Sequence, residues 1–372
     1  MKYCKRCVLP NTRPNLNIGP DGICSACQNA QQKPHINWAA KKQQFEQLVN
    51  QIKQKKAPWD CVIPVSGGKD STWQVITCLE YGLKPLCVTW RTPAREPIGQ
   101  ANLDNLIRLG VDHFDISINP TIEKYFTLKT IEQKGSAAIP MHMALFALPL
   151  QIAVKYHIPL VMWGENSAHE YGHTDLSQGF EMNRAWLLQY GVTQGTLAQD
   201  WYDDILTEQT MALYQWPSDD TLKQHNIRAV FLGDYFAWDP VLTFQIAAQH
   251  GFQAASKPLT GYYQFADIDD AFLITLHHWF KWYKFGFTRL WDNLSLEIRY
   301  GRLTREEAIH IIRTVGDETP HEAIHRFCTW AGVDKSYFNN LMQTFRNQHI
   351  WTYTHPQWKI EQFLIPDWEW SA

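Results

Sequence analysis

Residues 61–72 read Cys-Val-Ile-Pro-Val-Ser-Gly-Gly-Lys-Asp-Ser-Thr, a short apolar run followed by a glycine pair and a cluster of hydroxyl side chains. The apolar run predicts a buried strand, and the Ser/Thr cluster predicts the start of a helix. Adjacent glycines let backbone N–H groups converge without obstruction by Cβ, and a helix N-terminus adds partial positive charge. Such a junction predicts an anion cradle large enough for a pyrophosphate. Ser66, Ser71 and Thr72 can add hydroxyl donors, and Lys69 a charge. The spacing is neither Gly-x-x-x-x-Gly-Lys-[Ser/Thr] nor Gly-x-Gly-x-x-Gly, which excludes a Walker-type loop here. The plain alternative is an ordinary strand-to-helix turn.

The surrounding chain alternates apolar runs with helical stretches. Runs fall at 61–65, 86–90, 113–116 and 160–163, with helical patterns at 71–81, 98–109, 120–134 and 141–156 between them. A further short strand at 229–232 follows a helix-like stretch that starts near Asp219. That order predicts an α/β fold with βαβ units, a parallel sheet and helices on both faces. Before it, 38–56 has the period of an amphipathic helix that ends at Pro58. Residues 172–218 break the rhythm with a Gly-, Gln- and Trp-containing stretch, which predicts an insertion over the sheet that serves as a lid or substrate-binding segment. From 267 to about 347 the chain predicts consecutive helices, the first capped by Asp267 and another begun by Thr304-Arg305-Glu306-Glu307. The domain expectation is 1–36, 37–260 with the 172–218 insertion, and 261–372.

At 372 residues, with 45% apolar and 19% charged residues, the chain has enough apolar surface for a core of more than one domain. The net charge of −3 provides no global basic field, so no nucleic-acid partner is expected. The first 20 residues lack the apolar centre of a signal peptide, and no uninterrupted apolar run reaches membrane-spanning length. The expectation is therefore a cytoplasmic protein without a membrane segment. Four of the eight cysteines fall in two Cys-x-x-Cys pairs, Cys4/Cys7 and Cys24/Cys27, while Cys61, Cys78, Cys87 and Cys328 stand alone. Two such pairs have the spacing of thiolate hairpins that close a tetrahedral Zn²⁺ site, and four thiolates predict a structural rather than a catalytic metal. Zinc would also explain how a segment poor in apolar residues folds. Two disulfides or a redox pair are the competing readings. The 17 tryptophans are read first as core rings, some of which could stack on a ring-shaped ligand.

Ser66-Gly67-Gly68-Lys69-Asp70-Ser71 after a strand resembles the signature of the PP-loop ATP pyrophosphatases. Their likeness implies a Rossmann-like adenine-nucleotide hydrolase fold over about 57–260. By that likeness ATP would bind at Pro64, Val65, Ser66, Gly67, Gly68, Lys69, Asp70, Ser71 and Thr72. Thr89 and Trp90 would lie near adenine, and Asp70 would help to hold Mg²⁺. A second strand end, Trp163-Gly164-Glu165-Asn166, stands where open parallel sheets place ligands. Gly164 is added to the ATP set, Glu165 joins Lys69 and Asp70 as catalytic candidates, and Asn166 is a candidate substrate ligand. The competing reading of Glu165 and Asn166 is that they only cap the next turn.

The whole pattern resembles the N-acetyl sugar amidotransferases of bacterial surface-polysaccharide biosynthesis, the WbpG/PseA type. The resemblance is carried by Tyr3-Cys4-x-x-Cys7-Val8-x-Pro10, the 66–71 loop, Trp163 to Asn166 and Glu170-Tyr171-Gly172. Gly233-Asp234-Tyr235, Lys284-Phe285-Gly286-Phe287, Ile298-Arg299-x-Gly301-Arg302 and Thr304 to Ala308 complete it. It implies that ATP adenylylates the oxygen of a sugar acetamido group and that ammonia then displaces AMP to leave an acetamidino group, in lipopolysaccharide, O-antigen or nonulosonic acid synthesis. It also implies a glutaminase partner resembling the imidazole-glycerol-phosphate synthase pair, because no amidohydrolase motif is present here. The sugar would be free or nucleotide-linked. Glu170, Tyr171, Lys284 and Arg299 join Asn166 as substrate candidates, and Arg289 and Arg302 are further basic residues for an anionic sugar. Trp282-Tyr283, Leu290-Trp291 and Tyr300 depart from the family in bulk, which predicts an altered acceptor pocket. Two other readings compete: a tRNA thiolase, which needs a sulfur-carrying cysteine and a basic RNA surface, and a zinc-ribbon interaction protein with a vestigial loop.

Overall fold

The computed structural model describes residues 1–167, 170, 181–317 and 319–370. Tyr171, Gly172 and the first part of the expected insertion therefore lie outside the described residues. Five parallel strands, β1 (Cys61–Pro64), β2 (Pro85–Trp90), β3 (Asp112–Ile116), β4 (Leu160–Trp163) and β5 (Arg228–Phe231), form one sheet in the order β3-β2-β1-β4-β5. The fourteen described helices are α1 (Ser25–Gln32), α2 (Trp38–Gln54), α3 (Lys69–Glu80), α4 (Pro97–Ile107), α5 (Pro120–Lys134), α6 (Ala138–Tyr156), α7 (Arg184–Tyr190), α8 (Asp219–Gln224), α9 (Pro240–Gln249), α10 (Leu273–Phe285), α11 (Arg289–Arg299), α12 (Arg305–Val315), α13 (His321–Ala331) and α14 (Lys335–Thr344).

Alternation along the strands builds a core on each face. Val62, Leu86, Val88, Val161, Trp163, Ala229 and Phe231 enter the core shared with α5 and α6. Their neighbours Cys61, Ile63, Cys87, Leu160, Met162 and Val230 enter the core shared with α2, α3 and α4. A strand covered on both faces needs apolar residues at every position, which is why these runs are continuous rather than alternating in the sequence. One described helix, α6, has the length and mean hydropathy (19 residues, 1.4) of a membrane span, although His142 and Gln151 interrupt its apolar run. It packs on β1, β2 and β4 as the central helix of that core. Residues 181–218 are packed rather than draped: Phe126 of α5 meets the rings of Trp201 and Tyr214 at 5.5 and 5.1 Å.

A third core joins the two ends of the chain. Val8, Leu9 and the four N-terminal cysteines are buried with Trp279, Trp282 and Trp291 of α10 and α11, and with Trp351, Phe363 and Trp368 beyond α14. Most tryptophans are thus core rings. Trp282, Tyr283, Leu290 and Trp291 belong to this core and do not line the cavity described below, so their bulk fills the helical bundle instead of reshaping an acceptor pocket. Tyr300 likewise donates its hydroxyl hydrogen bond to the Trp238 carbonyl. The 3.6-residue pattern gives no warning of the hairpin of β6 (Trp351–Thr354) and β7 (Gln357–Ile360).

Two caps can be compared with expectation. Thr304 and Glu307 form the reciprocal box at the start of α12. Asp267, in contrast, does not cap α10. Asp270 does, its Oδ1 accepting from the N–H groups of Phe272, Leu273 and Ile274 at 3.0, 2.6 and 3.2 Å while Thr92 donates to its Oδ2. The helix starts six residues later than Asp267, at Leu273, so only Asp270 is in reach. Asp270→Ala strips a buried helix end of its acceptor at about 1–3 kcal/mol per lost partner. Urea titration is expected to show a midpoint clearly below wild type for Asp270→Ala, with Asp270→Asn recovering much of the loss.

Candidate active site

The sheet order reverses direction between β1 and β4, so the connections leaving their carboxyl ends diverge and open a crevice. At the β1 lip, Val65 N–H donates to Val88 O at 2.9 Å and α3 begins at Lys69 behind an extended Gly68. Gly67 has φ +86°, and a Cβ there would stand 2.5 Å from the Leu103 backbone nitrogen. The loop is thus pressed onto α4, where no side chain fits. Ser71 Oγ and Thr72 Oγ1 both donate to Gly68 O at 3.0 Å, and Gly68 N–H donates to Ser66 Oγ at 3.3 Å, so the hydroxyls set the loop's shape. Lys69 is buried, ion-paired with Asp70, and its ammonium lies 5.7 Å from the Trp238 ring and 5.8 Å from the Phe265 ring.

Asp70 Oδ1 accepts from Trp238 Nε1 and Thr243 Oγ1, each at 3.0 Å, while Oδ2 pairs with Lys69. Both oxygens are therefore engaged by donors. Among the described residues, only the four N-terminal cysteines form a group of three or more side chains placed to share one metal ion. A magnesium ion held mainly by phosphate oxygens needs only one or two carboxylates, and Asp70 fits that role only by releasing a donor.

The β4 lip is also bare of side chain where it matters. A Cβ on Gly164 would meet Gln74 Nε2 at 2.4 Å. Glu165 follows, half-buried, its carboxyl pushed up to about 7 by burial and by the charge of Asp70. Beyond it the candidates turn away from the crevice. Asn166 Nδ2 donates to Asp234 Oδ1 at 3.5 Å, and Glu170 is ion-paired with Lys33 at 2.6 Å while its carbonyl accepts from Arg299 Nη2 at 3.2 Å. These residues brace α1, α11 and the β4 loop against one another.

The third wall is the segment before α10, which periodicity does not identify. Asp269 packs against Gly99, whose Cβ would stand 2.6 Å from the Asp269 Cα, and its carboxylate is hydrogen-bonded to Ser66. Burial and neighbouring Asp270 push its carboxyl up to about 7. Asp267 accepts from Thr260 Oγ1 at 2.8 Å and lies 3.4 Å from His278 Nε2 and 3.5 Å from Arg289 Nε. The Asp-Ile-Asp-Asp run at 267–270 was the available sequence signal, a carboxylate cluster just before a helix.

These walls enclose a cavity of about 1080 Å³. It brings together Pro64, Val65, Ser66, Gly68, Lys69, Asp70, Ser71, Thr89, Trp90, Gly164, Glu165, Lys284 and Arg289 of the expected set. Gly67 and Thr72 shape the loop from behind. Asn166, Glu170, Arg299 and Arg302 lie outside the lining, the last paired with Glu297 and Asp239. Trp90 Nε1 donates to Glu123 Oε1 at 2.8 Å, which fixes the ring at the rim. Thr89 Oγ1 donates to Val65 O at 2.6 Å and ties the two strand ends together.

The four cysteines of the N-terminal module are free thiols whose sulfurs all lie within 4.8 Å of one another, with Cys4–Cys27 at 3.9 Å and Cys7–Cys24 at 3.7 Å. Zinc–sulfur bonds of about 2.3 Å in a tetrahedron place the sulfurs close to those separations, so the donor set fits zinc. N–H groups of Cys7 and Cys24 donate to Cys4 Sγ at 3.5 and 3.2 Å, as expected around a thiolate. Metal analysis is expected to find one zinc per chain, and Cys24→Ser to lose both the metal and soluble protein. In a separate test, Gly67→Ala adds a backbone clash to a left-handed residue, at about 1–2 kcal/mol for the conformation alone. Thermal melting is expected to show a lower midpoint, and ATP titration a weaker affinity.

Residues 259–364 match the family described as "LPS biosynthesis protein WbpG-like, C-terminal domain". No curated protein matches the chain. Among solved structures, an NMN synthetase from Francisella tularensis is similar over 60% of this chain and 99% of its own, at 14% identity and a TM-score of 0.27. A predicted subunit of a tRNA methyltransferase from Methanocaldococcus jannaschii is similar over 50% of this chain and 73% of its own, at 15% identity and a TM-score of 0.28. The segment that closes the third wall of the cavity, from Phe265 through α10, lies within the region that matches the WbpG-like C-terminal domain.

Proposed function

We propose that the chain is an ATP-dependent amidotransferase that converts an acetamido group of a sugar to an acetamidino group, for lipopolysaccharide or a related surface polysaccharide. One observation carries this reading: the Ser66–Ser71 loop and the WbpG-like segment share one cavity, in direct contact through Ser66 and Asp269. The cavity volume is at the upper end of pockets for a single drug-sized ligand, which suits a nucleotide beside a second substrate.

An amide carbonyl is a poor electrophile toward ammonia. Attack of the amide oxygen on the α-phosphorus of ATP releases pyrophosphate and leaves an O-adenylyl imidate, whose carbon accepts ammonia. AMP then leaves with the former amide oxygen, and the excess proton passes to a nearby base. The Ser66–Ser71 loop and Lys69 would hold the phosphates, with Trp90 and Thr89 at the adenine side. Magnesium would supply charge neutralisation of the phosphates. Asp70 holds Lys69 in position, and Glu165 and Asp269, both with raised carboxyl pKa, flank the loop as candidate proton acceptors. Ammonia would come from a separate glutaminase.

The thiolase reading lacks a reactive thiol near the loop. Cys61, Cys78 and Cys87 are fully buried in the sheet core, burial raises the Cys87 thiol, and none lines the cavity. The vestigial-loop reading is opposed by Gly67 and Lys69, each kept in a conformation that serves an intact cradle.

The test is mass spectrometry of candidate diacetamido sugars after incubation with ATP, magnesium and ammonium. The expected product is lighter by the difference between an oxygen and an NH group, with AMP and pyrophosphate formed in equal amount. No such product from any candidate, or formation of ADP, would overturn the reading. Asp70→Ala is expected to lower ATP–pyrophosphate exchange by roughly 100-fold, the scale for losing one positioned charge contact at a reacting centre. Burial and nearby Lys134 push Lys284 down to about 8, so its charge is present below that pH and lost above it. The KM for an anionic acceptor is expected to rise as pH goes from 7 to 9, and Lys284→Gln to flatten that dependence.

A further inference from the structure

Trp186 belongs to the stretch that breaks the βαβ rhythm of the sequence, and it sits on α7. Its ring centre lies 5.0 Å from that of Phe231 at the end of β5 and 6.0 Å from that of Phe146 on α6. Phe146 in turn lies 5.3 Å from Trp163 at the end of β4. All four rings line the cavity, beside the carboxyl ends of β4 and β5. Because β1 stands between β2 and β4 in the sheet, this aromatic wall and the Thr89-Trp90 strand end lie on opposite sides of the strand that leads into the phosphate loop. The angles between the ring planes are 47°, 82° and 55°, so these contacts provide no parallel slot for a flat base.

The polar atoms of this wall are what make it more than a core surface. Trp163 is 6% exposed and Trp186 is half-buried, and the Nε1–H of each is buried with no hydrogen-bond partner among the described residues. Buried donors are ordinarily satisfied, so two orphans on residues that line one cavity point to a ligand that satisfies them. His142 stands one turn before Phe146 on α6, its ring centre 5.9 Å from that of Phe146, and it lines the same cavity. Its Nδ1 lies 2.9 Å from Ala138 O. A carbonyl only accepts, so Nδ1 carries the hydrogen and Nε2 keeps its lone pair. Burial pushes the imidazole down to about 4, which leaves it neutral and Nε2 an acceptor at pH 7. The wall thus offers aromatic rings, two donors and one acceptor, with no formal charge on any of these five side chains. Glu165, two residues after Trp163, feels the charge of Asp70, so the wall adjoins the phosphate loop.

We propose that Phe146, Trp163, Trp186 and Phe231, together with His142, form the subsite that holds the pyranose ring of the acceptor. An acetamido pyranose presents C–H groups and a methyl to the aromatic rings, hydroxyl or carbonyl oxygens to the two indole N–H groups, and an N–H or O–H to His142 Nε2. A puckered chair meets rings set at angles to one another, whereas a purine is held best along parallel faces. Held here, the sugar has its acetamido group within the cavity that also contains Glu165 and the phosphate loop. Identification of the sugar as the acceptor rests on the function proposed above. The subsite itself does not, because it is read by binding without turnover.

The experiment is calorimetric titration of the zinc-loaded, full-length protein, first with α,β-methylene ATP and then with 2,3- and 2,4-diacetamido hexopyranoses. Each sugar is supplied as its methyl glycoside and as its UDP conjugate, with methyl glucoside and UDP as the blanks. At least one diacetamido probe is expected to bind more tightly than its blank. Trp186→Phe keeps a ring and removes the indole N–H, and His142→Phe keeps a ring and removes the acceptor nitrogen. Each is expected to weaken that binding about fivefold, the scale for one lost hydrogen bond. Trp186→Ala removes the ring as well and is expected to weaken it at least about tenfold. Affinity for the ATP analogue should stay within twofold of wild type in all three, and Arg313→Ala, which breaks a surface pair with Asp367, should change neither binding. Wild-type protein that binds no diacetamido probe more tightly than its blank would overturn the proposal. So would Trp186→Phe and His142→Phe proteins that bind the probe as tightly as wild type, or a loss of ATP-analogue affinity with sugar binding intact, which would assign the rings to adenine. Sugar binding that responds to the variants as expected, in a protein that forms no acetamidino product, would count against the proposed function and leave this subsite standing.

Discussion

The structure depends on how closely its segments approach one another around the carboxyl ends of β1 and β4. Three glycines make this possible: Gly67 lies against the Leu103 backbone, Gly99 against the Asp269 backbone, and Gly164 leaves room for the side chain of Gln74. Any Cβ at these places would meet its neighbour at 2.4–2.6 Å. The loop that bears Lys69 and Asp70, the β4 end that bears Glu165 and the segment that bears Asp269 are therefore drawn to one point. Because that point lies where the sheet order reverses, the crevice is a consequence of topology, and the glycines decide how narrow it is.

The tail completes this crevice. Asp270 gathers three N–H groups of α10 and the hydroxyl of Thr92, and so pins the tail to the loop after β2. From that pin α10 carries His277, His278, Lys281 and Lys284 into the cavity, and α11 adds Arg289 and Asp292. The cysteine module then packs its buried residues into the same aromatic core as α10 and α11, which brings Arg13 beside Asp292. The cavity thus draws on the N-terminal module, the sheet and helices α10 and α11. A four-thiolate metal site suits such a place, because it fixes a segment too short and too polar to order itself by burial alone.

Much of the sheet could be read directly from the sequence. Five apolar runs bounded by helical patterns gave strands where they were expected, and the loop at 66–71 has the strand–turn–helix context that its glycines required. Two Cys-x-x-Cys pairs could be read because metal geometry constrains spacing so tightly. What could not be read depended on long-range contact. Asp267 and Asp270 stand three residues apart before one helix, and only the position of the first helical residue decides which of them caps it. Glu170 and Arg299 look like site residues in a linear chain, yet Lys33 and the β4 loop claim them. Arg13 carries no local sign of its contact with Asp292, which stands 279 residues away. The hairpin at 351–360 is too short for periodicity to register.

The central claim is that the amide oxygen of the acceptor is activated by adenylylation in this cavity, and the fate of that oxygen tests it most directly. An acceptor sugar labelled with oxygen-18 in its acetamido group should, after turnover with ATP and ammonia, transfer the label to the phosphate of AMP, read by mass spectrometry. Label found in the pyrophosphate, or unlabelled AMP formed together with an acetamidino product, would contradict the account.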